Sequence, residues 1–117
     1  MLTTIGFRSE CPLAKMLDVV GDKWSLLIIR DLAMGKSTYS ELESSAEGIT
    51  TSVLSTRLKM LAGIGLIEKQ LYQTKPKRYQ YLLTDKGKSL LPLLKAIVCW
   101  AEENICQHEH MPSPKSA

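Results

Sequence analysis

Residues 50–62 read TTSVLSTRLKMLA. At about 100° per residue, Val53, Leu54, Leu58, Met60 and Leu61 fall on one arc of a helix, and Thr50 can cap its first turn. Thr51, Ser52, Ser55, Thr56 and Lys59 take the opposite arc. That outward face is short, hydroxyl-rich and ends in a cation, unlike the Glu/Lys mixture of an ordinary solvated helix. Arg57 falls inside the apolar arc near Leu54 and Leu61. Its stem can lie along that surface, while its head either pairs with a carboxylate such as Glu41 or Asp31 or reaches a phosphate or base.

After this helix come two runs rich in β-branched, aromatic and other apolar residues, Ile67 to Tyr72 and Arg78 to Leu83, separated by Gln73-Thr74-Lys75-Pro76-Lys77. They predict a two-stranded hairpin with a basic tip. Thr84 then caps a last helix through about Cys106, which Pro92 is expected to kink. Before the helix, Ser40 is expected to cap a brief segment containing Glu41 and Leu42, followed by a Glu47-Gly48 turn. Further upstream, Pro12 opens a helix that Gly21 ends, with Leu13, Met16, Leu17 and Val20 on one face. Asp22 caps a second, central helix from Lys23 to Met34, apolar over most of its circumference and stopped by Gly35. Lys36 to Tyr39 is extended.

Charge is distributed unevenly along this plan. The whole chain of 117 residues carries a formal +3. Residues 57 to 88, with eight basic and two acidic side chains, hold +6, against −2 before them and −1 after. An electropositive middle between mildly acidic ends is the footprint of a nucleic-acid face on a small domain. With 44% apolar and 23% charged residues, the chain can bury roughly 65–70% of its unfolded surface around one core. We expect one domain over 1–107 and a flexible tail over 108–117. The longest aliphatic run, Leu26 to Ile29, is far short of the ~20 residues that span a bilayer, and Arg8 and Glu10 interrupt the place of an export signal. A cytoplasmic location with no membrane contact is expected.

Catalytic constellations do not stand out. Gly63 and Gly65 form the only close glycine pair, and neither an H-E-x-x-H nor a nucleophile elbow occurs. The cysteines at 11, 99 and 106 lack a C-x-x-C pair, and His108 and His110 sit in the polar tail, so neither an enzyme, a cofactor nor a metal site is expected. Cys99 and Cys106 are expected to act as small buried hydrophobes.

Helices, a helical turn leading into a hydroxyl-faced helix, then a hairpin with cations at its tip: this order is mainly α with a small β-hairpin, a winged helix-turn-helix. Its natural partner is double-stranded DNA. A major groove admits one helix, short hydroxyls let the backbone approach base edges, and hairpin lysines reach neighbouring phosphates or the minor groove. The expected DNA-binding residues are Lys36, Thr50, Thr51, Ser52, Ser55, Thr56, Arg57, Lys59, Lys75, Lys77 and Arg78.

At these residues the chain resembles the HxlR-type winged-helix transcription regulators, relatives of the MarR regulators. The resemblance covers about residues 11 to 103: Cys11-Pro12, Leu17-Asp18-Val19-Val20-Gly21-Asp22-Lys23-Trp24, Leu27-Ile28-Ile29-Arg30-Asp31-Leu32, Tyr39-Ser40-Glu41-Leu42, Gly48-Ile49-Thr50, Leu54-Ser55-Thr56-Arg57-Leu58, Gly65-Leu66-Ile67, Tyr79 to Gly87, and the helix bearing Trp100. Together and in this order the pieces are specific. Ala62-Gly63-Ile64 departs from the acidic or polar residues usual there, which implies an early end to the recognition helix, and another aromatic residue is commoner at Tyr39.

The resemblance implies a cytoplasmic homodimer in which the first and last helices of two chains pack together. Apolar stripes on those helices agree, since a domain this small needs only one covering helix. The expected interface is Leu13, Leu17, Leu94, Ile97, Val98, Trp100, Ala101 and Ile105. Cys11, at a helix start between Arg8 and Lys15, is the expected thiol sensor, because the helix dipole and two cations favour a thiolate. Some members of the resembled family sense oxidants or electrophiles through a cysteine in this place. Two alternatives stay open: a winged-helix module that docks proteins without reading DNA, and a regulator controlled by a small-molecule ligand at the dimer interface.

Overall fold

The computed structural model describes residues 7–106. The expected tail, with His108 and His110, lies outside them. Helix α1 is Pro12–Val20, with proline at its first turn and Gly21 donating its backbone N–H to the Leu17 carbonyl at 2.8 Å. Helix α2, Ser25–Ala33, begins two residues later than expected. Asp22 nevertheless serves its first turn, its carboxylate accepting from the amides of Trp24 and Ser25 at 2.7 and 2.8 Å. Helix α3, Tyr39–Glu43, starts one residue before the expected cap. Thr38, not Ser40, caps it, and the Glu41 carboxylate returns to the Thr38 amide in a reciprocal box.

Helix α4, Thr51–Gly63, is the hydroxyl-faced element. Thr50 accepts from the Val53 amide at 3.4 Å, as expected, and the helix runs one residue past Ala62, so Ala62-Gly63 does not shorten it. Strands β1, Ile67–Thr74, and β2, Lys77–Leu83, pair antiparallel with Ile67 opposite Leu83 and an irregularity between Leu71 and Gln73. Both strands extend further toward the tip than the apolar pattern indicates, leaving Lys75-Pro76 as the turn. Tyr81 donates its amide to the Ser37 carbonyl at 2.7 Å, which fastens the hairpin to the loop before α3.

The last expected helix is two. Thr84 caps α5, Asp85–Lys88, accepting from the Gly87 amide at 3.1 Å, and Pro92 stands in the first turn of α6, Leu91–Asn104. Proline here opens a helix instead of kinking one, because its missing N–H costs nothing in a first turn. Gly87 is required by close approach: a Cβ there would lie 2.1 Å from the Leu66 carbonyl oxygen.

One core gathers α2, α3, α4 and the base of the hairpin. Ile29, Leu54 and Leu61 have no exposed surface, and Ile28, Leu42, Leu58, Ile64 and Ile67 are nearly as deep. The winged helix-turn-helix is thus the observed fold. Helix α6, by contrast, contributes no fully buried residue.

The turn leading into α4 is pinned by charge. Arg30 donates two hydrogen bonds to Glu47, both at 2.9 Å, and also reaches the buried Asp31 at 2.7 Å. Gly48, with φ +76, then turns the chain toward Ile49 and Thr50. The Arg30 bonds, aided by the Ser45 hydroxyl, hold Glu47 down from its usual 4.5 to about 2. A carboxylate depressed in the folded state stabilises fully above its unfolded value and loses that contribution as pH falls through the folded one. We therefore expect the wild-type melting temperature to fall more steeply between pH 4.5 and 2 than that of Glu47→Gln. Parallel pH profiles in thermal melts would contradict this assignment.

Candidate nucleic-acid interface

The outward arc of α4 faces solvent. Thr51, Ser52, Ser55, Thr56 and Lys59 are all exposed, whereas Leu54, Leu58 and Leu61 on the inner arc are buried. Thr56 turns its hydroxyl hydrogen back to the Ser52 carbonyl at 2.9 Å, and Thr50 is occupied as the cap. Arg57 is half-buried at the edge of this face. Its partner is Asp22, at 3.0 Å, and neither of the expected carboxylates, Glu41 and Asp31. Asp22 also accepts from the Ser25 hydroxyl at 2.6 Å. Burial raises the Asp22 pKa, but the bonds from Ser25 and Trp24 and the Arg57 charge outweigh it and leave the carboxyl lowered.

The hairpin stands beside α4 and carries the other cations. Lys75, Lys77 and Arg78 are exposed at or next to its tip. A cleft of about 350 Å3 separates hairpin and helix, lined by Tyr39, Ser55, Leu58, Lys59, Lys69 and Tyr81. Lys69 rests its ammonium 4.4 Å from the centre of the Tyr79 ring, which holds one cation against the hairpin surface. Lys36 is half-buried in the loop before α3, where its charge acts on Glu41. Among the expected contacts it is the one that lies on neither α4, with its cap, nor the hairpin.

Two contacts in this arrangement have no signature in the sequence, those of Tyr39 and Asp22. Tyr39 donates its hydroxyl hydrogen to the Thr51 carbonyl at 2.8 Å, tying α3 to the first turn of α4. Asp22 fixes Arg57. Neither has a periodic signature, because each joins elements that only the tertiary fold brings together.

The expected dimer faces divide. Leu13 and Leu17 on α1 are 66% and 51% exposed, and on α6 Ile97, Val98 and Trp100 are 45%, 53% and 61% exposed. Leu94 instead packs against the domain's own core, and Ala101 is half-buried. The exposed apolar side chains within α6 are accordingly Leu93, Ile97, Val98 and Trp100, of which Leu93, Ile97 and Trp100 are spaced four and three residues apart on one arc. Ile105, 43% exposed, follows the helix end.

Cys11 is exposed at the cap position of α1. The cations expected to favour its thiolate are both engaged: Arg8 with Asp18, and Lys15 with Glu10 at 3.1 Å. Cys99 and Cys106 are exposed as well, not buried as expected, because they lie on the solvent side of α6 and beyond its end. Among the described residues no helix is long and apolar enough to cross a membrane.

The family described as HxlR-like helix-turn-helix matches residues 19–109. The HTH-type transcriptional regulator YvaP of Bacillus subtilis is 38% identical over 94 residues, which is 80% of this chain and 87% of that protein. The structure of PA1607 is similar with a TM-score of 0.78 and 35% identity, over 90% of this chain and 72% of that one. The redox regulator HypR in its oxidised form is similar with a TM-score of 0.73 and 30% identity, over 80% of this chain and 97% of that one.

Proposed function

The chain belongs to the HxlR-like helix-turn-helix family, and on that premise we propose that it is a sequence-specific DNA-binding transcription regulator acting as a homodimer. The observation that carries this reading is the uncovered hydroxyl face of α4 beside a hairpin whose tip is basic. Helix α4 enters a major groove with Thr51, Ser52 and Ser55 toward the base edges, while Thr50, Thr56, Lys59 and the hairpin cations Lys75, Lys77 and Arg78 meet phosphates. Arg57 joins them from the edge of the helix, steered by Asp22. Lys36 adds to the positive potential from the loop before α3.

Two chains bury the apolar faces of α1 and α6 against each other, through Leu13, Leu17, Ile97, Val98, Trp100, Ala101 and Ile105, with Leu93 joining them. Two-fold symmetry then sets the half-sites about one helical turn apart, roughly 10 base pairs or a multiple. Domain 1–107 carries all of this, and no cofactor takes part.

Control through Cys11 is the second reading. Its exposure at the start of α1 and the similarity to HypR support it, even though Arg8 and Lys15 are paired elsewhere. Modification there acts on α1, hence on the spacing of the two recognition helices. A gel-shift titration with duplex DNA from upstream of the chain's own gene tests both. Binding that weakens steeply with salt supports the DNA reading. A thiol oxidant that shifts wild-type binding but leaves Cys11→Ser unchanged supports the thiol reading, and an equal response of both proteins removes it.

A further inference from the structure

Tyr39 does more than fasten α4, because its hydroxyl also touches the face that meets DNA. Besides the Thr51 carbonyl at 2.8 Å, Tyr39 Oη lies 3.2 Å from Ser55 Oγ. A carbonyl oxygen only accepts, so the one phenolic hydrogen is committed to Thr51. The remaining contact has a single hydrogen available, that of the Ser55 hydroxyl, and Ser55 must donate it to Tyr39. A free serine presents either sense to a partner by rotating its hydroxyl. Ser55, exposed on the outward arc, has used its hydrogen and offers solvent only lone pairs.

We propose that Tyr39 makes Ser55 an acceptor-only reader of the major groove, so that each half-site carries an amino-bearing base, adenine or cytosine, where Ser55 contacts it. The major-groove edges supply the chemistry. Adenine N6 and cytosine N4 are amino donors that match a lone pair, whereas guanine O6 and thymine O4 are acceptors that would face it unpaired. This inference rests on the DNA reading above and adds the base class to one of its contacts. Tyr39 acts through Ser55 and is a positioning residue.

Selection from a pool of synthetic duplexes with a randomised core tests it, using the full chain and its Tyr39→Phe and Ser55→Ala variants. The wild type should fix one position per half-site to adenine or cytosine, favoured about tenfold over guanine or thymine. In Tyr39→Phe the Ser55 hydrogen is released, and guanine and thymine should rise at that position to within about twofold of adenine and cytosine, with the salt dependence of binding unchanged. Ser55→Ala should level the same position without touching Tyr39, which covers the case in which the phenol matters only for folding. A Tyr39→Phe selection identical to wild type overturns the inference, as does a Ser55→Ala selection that keeps the preference. Those results leave salt-dependent DNA binding standing. A wild-type chain that enriches no duplex removes that reading and the inference together.

Discussion

Replacing Leu93 and Ile97 with glutamate should yield a folded monomer whose affinity for a two-half-site duplex is at least about 100-fold below wild type. The two side chains are 40% and 45% exposed on the single chain, so charging them removes nothing from the domain core. In a dimer the same positions are buried, where an unpaired carboxylate is costly. Two linked half-sites gain on the order of 100- to 10,000-fold over one, which is the factor a monomer forfeits. Sedimentation should show the wild type as a dimer at micromolar concentration and the variant as a monomer, with the melting temperature nearly kept. Trp100 is 61% exposed in the single chain, so its emission should move to the red as wild-type dimers are diluted apart. A wild-type monomer at micromolar concentration would contradict the paired arrangement.

Leu54→Ala should lower the unfolding free energy by about 3 kcal/mol. Leu54 has no exposed surface and sits directly behind the hydroxyl face of α4. Truncating a buried leucine costs the lost transfer energy plus a cavity, in the range of about 2–5 kcal/mol. For a domain of this size that moves the melting temperature down by roughly 12–20 °C. Ser52→Ala, exposed on the other side of the same helix, should change it by less than about 0.5 kcal/mol. Equal effects of the two substitutions would show that α4 is not oriented as described.

The contrast between those two residues also explains what was legible in the sequence. The orientation of α4 was readable because Val53, Leu54, Leu58 and Leu61 repeat at the helical period, and Thr50 is where the cap should be. The hairpin was readable from two apolar runs around a Lys-Pro turn, but its true length was not: Gln73, Thr74 and Lys77 are polar and pair by backbone alone. Pro92 was misjudged because one proline serves a kink or a helix start equally well, and only the break at Ser89-Leu90 decides between them. Leu94 alone leaves the expected face of α6 for a tertiary reason, since it docks on this chain's own core. Asp22 with Arg57, and Tyr39 with Thr51 and Ser55, are 35, 12 and 16 residues apart, and nothing local marks such pairs. The charge pattern was legible as a net excess, whereas the pairing of Arg8 and Lys15 with carboxylates, and the choice of Asp22 as the partner of Arg57, were not.

Salt dependence decides whether the face formed by α4 and the hairpin binds duplex DNA. Affinity should fall linearly on logarithmic axes as salt rises, because each neutralised phosphate releases condensed counterions. Lys59→Ala and Lys77→Ala should each reduce the slope by about one, for one phosphate met by each cation. An affinity that ignores salt, or slopes that neither substitution changes, would contradict DNA binding at this face.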